Sequence, residues 1–197
     1  MTATVATRTR HHPVATVALA ATTTVVLAVV FERHGFGPAI VACVGAVPIA
    51  RAVREDAHSF RLPDAIVLPG LAATAATAVL VAAVTRSPGR LVGMVFAFVF
   101  IVAPYLVTHL FRPASIGFGD VKLAVLIAVV VGYVEPAAGV LIVFLNGPVH
   151  VLVAFGRPWP GQRHTGTGRA PVPFGPTLAI STAIAIVALA VMPGLTQ

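Results

Sequence analysis

Residues Ala65 to Val84 read AIVLPGLAATAATAVLVAAV, an unbroken run without a single charge. A helix rises about 1.5 Å per residue, so about 20 such residues cross a hydrocarbon core of about 30 Å. This stretch decides the fold class, because it is a membrane span by length and composition, and similar segments lie on both sides of it. They fall at Val14 to Phe31, Phe36 to Ala50, Leu91 to Phe111, Val121 to Val134, Ala137 to Phe155 and Phe174 to Met192. The expectation is an all-α polytopic transmembrane helical bundle of about seven membrane helices, within a range of six to eight. The second and fifth segments are short and are expected to sit obliquely or to join a polar cavity.

Composition agrees. Of the 197 residues, 58% are hydrophobic and 10% charged, against about a quarter charged in soluble domains. The first apolar segment, following Arg8 and Arg10, would resemble a signal peptide on its own, but further spans follow and it reads as an uncleaved anchor. Residues 1–13 are expected to form a cytoplasmic tail, and 14–197 a single integral membrane domain. Its Gly/Pro/Arg-rich loop over 156–173 carries Trp159 between Pro158 and Pro160. Backbone that irregular belongs outside lipid, as a solvated loop with an interfacial Trp or as a lid.

The formal charge of +7 raises the question of nucleic acid, but the basic residues are scattered in ones and twos between apolar segments with no aromatic interleaving. That is the pattern of topology signals, and no nucleic-acid partner is expected. With the N-terminus inside, the cytoplasmic set is Arg8, Arg10, Arg51, Arg54, Arg61, Arg112, Lys122, Arg157, Arg163 and Arg169. The outer set is Arg33, Arg86 and Arg90. This excess of inside charge favours an N-terminus-inside chain of seven spans. The one cysteine, Cys43, lies in an apolar segment and reads as a small buried hydrophobe, with neither a disulfide nor a Cys-x-x-Cys site open to it.

Six acidic residues are present: Glu32, Glu55, Asp56, Asp64, Asp120 and Glu135. Four of them edge two predicted loops, Arg51 to Asp64 and Arg112 to Lys122. Two helices separate those loops, so they share a membrane face whichever way the chain inserts. An ionisable residue at a helix end beside the bilayer is costly, and is a functional candidate for that reason. Asp120 can therefore meet Asp56 or Asp64, and two carboxyl groups in one site have a definite chemistry. Like charges a few ångströms apart do not both ionise readily, so one keeps its proton while the other acts as general base on a water. Such a pair needs no metal, cofactor or nucleophilic serine, and no His-Glu-x-x-His, Gly-x-Ser-x-Gly or Walker motif occurs. Neither a cofactor nor a metal site is expected, since the histidines His11, His12, His34, His58, His109, His150 and His164 lack ligand spacing and read as structural or interfacial. Glu135 before Pro136 marks a tight outer turn.

Asp120 stands in Gly117-Phe118-Gly119-Asp120-Val121-Lys122-Leu123. Gly117 and Gly119 are expected to free the backbone for unusual conformations and for close approach to a substrate, with Asp120 in the first turn of a helix; the plain alternative is a loop and cap. Asp64 follows Pro63 and precedes an apolar run, which suits an N-cap. Lys122 is placed either to act on a carboxylate, by lowering the pair's pKa values or by holding one, or to snorkel to headgroups, and Arg61 has the same two readings.

These residues resemble a family, the bacterial type IV prepilin peptidases, which are membrane aspartic proteases of the Gly-x-Gly-Asp class. Asp56-Ala57-His58-Ser59-Phe60-Arg61-Leu62-Pro63-Asp64-Ala65-Ile66-Val67-Leu68-Pro69 is similar to its first motif, Gly117 to Leu123 to its second, and Pro173-Phe174-Gly175-Pro176 to its closing one. Together these cover about Ala50 to Leu178. The resemblance implies an aspartic endopeptidase in a bacterial inner membrane, cutting the basic leader of a prepilin or pseudopilin after Gly at the cytoplasmic face. It implies catalytic roles for Asp56 and Asp120, with Asp64 left to capping and Pro63, Gly117, Gly119 and Lys122 in support. Glu55, Ser115 and Ile116 depart from the family pattern, and Glu55 would add a third charge near the pair. The chain before Asp56 is short and holds only Cys43, so the compact, peptidase-only form is expected, without methyltransferase activity; the oligomeric state is open. The rival readings are a Gly-x-Gly-Asp intramembrane protease with other membrane-anchored substrates and, further off, a transporter or channel. The latter favours acids near the midplane and symmetric halves.

Overall fold

The computed structural model describes residues 13–111, 116–155 and 173–192. The predicted tail before Pro13 and the stretch 156–172, with Trp159 and its arginines, lie outside the described residues.

The described residues form seven helices and short connections: α1 Pro13–His34, α2 Phe36–Ser59, α3 Asp64–Val84, α4 Gly89–Phe111, α5 Phe118–Val134, α6 Ala137–Phe155 and α7 Phe174–Val191. Helices α2, α3, α4 and α7 are long and apolar enough to cross a membrane, and Ala137–Val153 of α6 is a shorter apolar helix. The all-α membrane bundle is as expected. Large apolar side chains cover its outside, among them Val84, Phe111, Phe144 and Leu152, a surface that suits hydrocarbon and not water.

One boundary differs from the reading of the sequence. Helix α2 ends at Ser59, well past Ala50, so most of the predicted loop Arg51 to Asp64 is helix and only Phe60 to Pro63 connect α2 to α3. An apolar run stops at the first charge, but an amphipathic helix does not. Ala52, Val53 and Asp56 face inward while Arg51, Arg54 and Glu55 are exposed. Phe60, at φ 53°, ends the helix and returns its N–H to the carbonyl of Asp56 at 2.9 Å.

Helix α5, one of the two short segments expected to sit obliquely or to join a polar cavity, is the central helix. Eleven residues between Val121 and Val134 are buried on every side of it, and α2, α3, α4, α6 and α7 all pack against it. Its 17 residues span only about 25 Å, which suffices for a helix surrounded by protein. Close approach is set by small residues, as is usual between membrane helices. Gly93 of α4 and Gly132 of α5 face each other so closely that a Cβ on Gly132 would lie 2.5 Å from Met94 Cα. Gly45 of α2 abuts Val130 of α5, and Gly70 of α3 abuts the ring of Pro48. Helix α4 widens into a π turn at Phe98–Val102, just ahead of Pro104, whose ring and missing N–H disturb the regular ladder.

Side-chain contacts identify the two ends of the bundle. At one, Arg90 Nη1 donates to the Tyr133 carbonyl at 2.9 Å and His34 lies 3.9 Å from Glu135. At the other, the C-terminal end of α2 meets the N-terminal ends of α3, α5 and α7.

Candidate active site

Asp56 lies in the last turn of α2 and is 4% exposed. Its Oδ2 accepts the Gly175 N–H at 2.7 Å. That donor is free because Gly175 is in the first turn of α7, where backbone N–H groups have no partner within the helix. Pro173 and Pro176 on either side have no N–H to offer. Gly175 also lets α7 come close, since a Cβ there would sit 3.0 Å from Asp56 Oδ2 and 3.4 Å from Leu123 Cδ2.

Asp120 occupies the third position of α5, and its Oδ2 accepts the Gly117 N–H at 3.0 Å. This is the backward half of a capping box, with a carboxylate answering an orphan donor. Gly117 holds an ordinary extended conformation, φ −70° and ψ 152°, so the left-handed freedom expected of it is not used. Gly119 lets the helix pack closely on the α2–α3 connection, where a Cβ would lie 3.0 Å from Leu62 Cβ.

The two carboxyl groups, 64 positions apart in sequence, lie within electrostatic reach of each other. Each is held through one oxygen by one glycine N–H at the start of a helix. The second oxygen of each has no hydrogen-bond partner among the described residues.

Asp64 stands apart. Pro63 is the cap residue of α3 and Asp64 makes no capping bond, which corrects the capping role expected of it. Its carboxylate is drawn instead to Lys122, whose Nζ donates to Asp64 Oδ1 at 2.6 Å. The ammonium also lies 4.9 Å from the Phe118 ring centroid. Of the two roles open to Lys122 in the sequence, holding a carboxylate is the one observed. Glu55 is exposed. No group of three or more His, Cys, Asp or Glu side chains able to hold a metal is present among the described residues. His109 bonds the Ile116 carbonyl at 2.8 Å and His58 that of Arg54 at 2.7 Å.

Sequence reasoning missed a set of polar side chains behind the Gly175 turn. Asn146, Thr177 and Ser181 are buried, and His150 Nδ1 lies 3.5 Å from Thr177 Oγ1. Asn146 and His150 are four apart in the otherwise apolar helix α6, and that spacing on one face was the available signal.

A family model described as the type IV leader peptidase family matches residues 43–155. Comparison with curated proteins finds no match, and neither does comparison with solved structures. The matched region holds Asp56, Asp120 and the contacts joining α2, α3 and α5, and it ends before Gly175, which α7 brings back onto Asp56. It extends over more than half of the chain, and on that ground the chain belongs to the type IV leader peptidase family.

Proposed function

We propose that this membrane peptidase is an aspartic endopeptidase that removes the leader of a type IV prepilin or pseudopilin after Gly, at the cytoplasmic membrane face, with Asp56 and Asp120 as its catalytic pair. The observation that supports it is that both carboxyls stand at one end of the bundle within electrostatic reach of each other, each fixed by a backbone N–H and each with an oxygen to spare. One carboxylate takes a proton from a water as its oxygen attacks the scissile carbonyl. The protonated partner donates to the carbonyl oxygen, giving a tetrahedral intermediate without a covalent enzyme species. Its collapse breaks the C–N bond, with a proton passing to the departing amine. The substrate is a chain with a short basic leader ending in Gly and followed by an apolar helix. The N-terminus lies inside, and the helices belong to a single membrane domain.

Co-expression with such a substrate, followed by the loss of its leader on a gel, tests the reading. Asp56→Asn and Asp120→Asn each abolish processing, whereas Asp64→Asn retains most of it. An exposed ion pair such as Asp64–Lys122 is worth at most about 1 kcal/mol. Processing that survives both of the first two substitutions would overturn the aspartyl mechanism.

A further inference from the structure

Five polar side chains from three helices converge where apolar ones would pack at lower cost. Within a membrane such residues serve as interhelical glue or mark function. Thr177 Oγ1 donates to the Phe174 carbonyl at 2.7 Å. That carbonyl and the Gly175 N–H belong to the same peptide unit, which is planar and rigid. The unit is thus held at both ends, by the Thr177 hydroxyl at its oxygen and by Asp56 Oδ2 at its N–H. A carbonyl that accepts a hydrogen bond also polarises the N–H of its own amide and makes it a better donor.

The remaining contacts steady Thr177 and the first turns of α7. His150 Nδ1 faces Thr177 Oγ1 at 3.5 Å. The single hydroxyl proton of Thr177 is committed to Phe174, so the imidazole must carry its proton on Nδ1 to donate there. Ser181 Oγ donates to the Thr177 carbonyl at 2.9 Å and lies 3.5 Å from the Asn146 amide oxygen. The Tyr105 ring meets Phe174 edge-on, with centroids 5.0 Å apart.

We propose that Thr177 is a positioning residue that, backed by His150, Ser181, Asn146 and Tyr105, aims the Gly175 N–H at Asp56 and so fixes the orientation of that carboxyl group. This rests on the reading of Asp56 and Asp120 as the catalytic pair. The test is Thr177→Val, which keeps the shape of the side chain and removes its donor, alongside Thr177→Ser, which restores the donor. Both are assayed as full-length protein in detergent or liposomes on a peptide with a basic leader, Gly and an apolar helix. In Thr177→Val, kcat falls by about tenfold, as expected for one mis-set hydrogen bond, while KM holds. A carboxylate that loses an N–H partner is protonated more readily, so the acid limb of the pH–rate profile moves to higher pH. Thr177→Ser recovers both rate and profile, and Ser181→Ala gives a smaller change in the same direction. A Thr177→Val chain with unchanged kcat and pH profile overturns the proposal, as does one that loses activity only in step with its folded fraction. Asp56→Asn and Asp120→Asn in the same assay separate the two failures. If they are inactive while Thr177→Val is normal, only the positioning role falls; if they cleave, the reading beneath it falls as well.

Discussion

Gly175→Ala separates the packing of α7 from its contribution to the site. The added Cβ would lie 3.0 Å from Asp56 Oδ2, 3.3 Å from Asp56 Cβ and 3.4 Å from Leu123 Cδ2, so the neighbours must yield by a few tenths of an ångström. Neither has room to do so freely, because Leu123 is fully buried and Asp56 is nearly so. In stability, overpacking costs about 1–3 kcal/mol, and alanine returns up to about 1 kcal/mol of helix propensity. The net loss is therefore about 0–2 kcal/mol, which a folded membrane protein survives. In activity the loss is larger, because the displaced contact is a 2.7 Å bond from N–H to carboxylate. Bonds to charged groups are worth about 1.5–3 kcal/mol, so processing falls about ten- to a hundredfold. Gly89→Ala is the control: it meets nothing within 4 Å and lies at the start of α4, at the opposite end of the bundle. Both variants are purified, their thermal unfolding is recorded in detergent, and cleavage of a leader peptide is followed under single-turnover conditions. Full activity in Gly175→Ala, or an equal loss in Gly89→Ala, refutes the argument that the Gly175 contact sets Asp56.

Two further outcomes follow from the same contacts. Since the proposed chemistry needs one carboxyl protonated and one ionised, cleavage passes through a maximum with pH. It falls on the acid side as the base is protonated and on the alkaline side as the acid is lost; a rate that stays flat from about pH 4 to 9 would contradict a shared pair. Gly132→Ala pushes a Cβ to 2.5 Å from Met94 Cα and 2.7 Å from the Gly93 carbonyl, which are backbone atoms, whereas at Gly139 the nearest atoms lie 3.5 Å away. Thermal unfolding should therefore show a loss of about 1–3 kcal/mol for Gly132→Ala and little change for Gly139→Ala.

The membrane helices were legible because uncharged length is itself the signal, as in Ala65 to Val84. What the apolar runs concealed was amphipathic continuation. Ala52, Val53 and Asp56 share the inner face of α2 with charged residues interleaved, so the helix carrying Asp56 looked like a loop. The packing role of α5 was equally hidden, since a helix buried on all sides has no polar face to mark its orientation. At the site, the Gly-x-Gly-Asp stretch and the loop order were enough to bring Asp56 and Asp120 to one end. The pairing of Asp64 with Lys122 was not readable, because a first-turn aspartate after proline satisfies the rules for capping as well as those for an ion pair. Thr177 escaped because its importance comes from a peptide bond three residues back, and periodicity carries no record of that.

The pairing of Asp64 with Lys122 bears on the chemistry proposed for the other two acids. Lys122 is two positions from Asp120 in the same helix, and residues so spaced do not face each other; an ammonium bound to either catalytic carboxyl would work against the protonated state that one member of the pair must adopt. In this chain the ammonium is held at 2.6 Å by Asp64 and rests near the Phe118 ring. The orienting bonds to Asp56 and Asp120 come instead from neutral backbone N–H groups. Neutral donors fix where a carboxyl points and still let it take up and release a proton. On the proposed mechanism the pair needs both properties, and the backbone donors provide them: Asp56 and Asp120 are each aimed by a glycine N–H, while Asp64 is paired with Lys122.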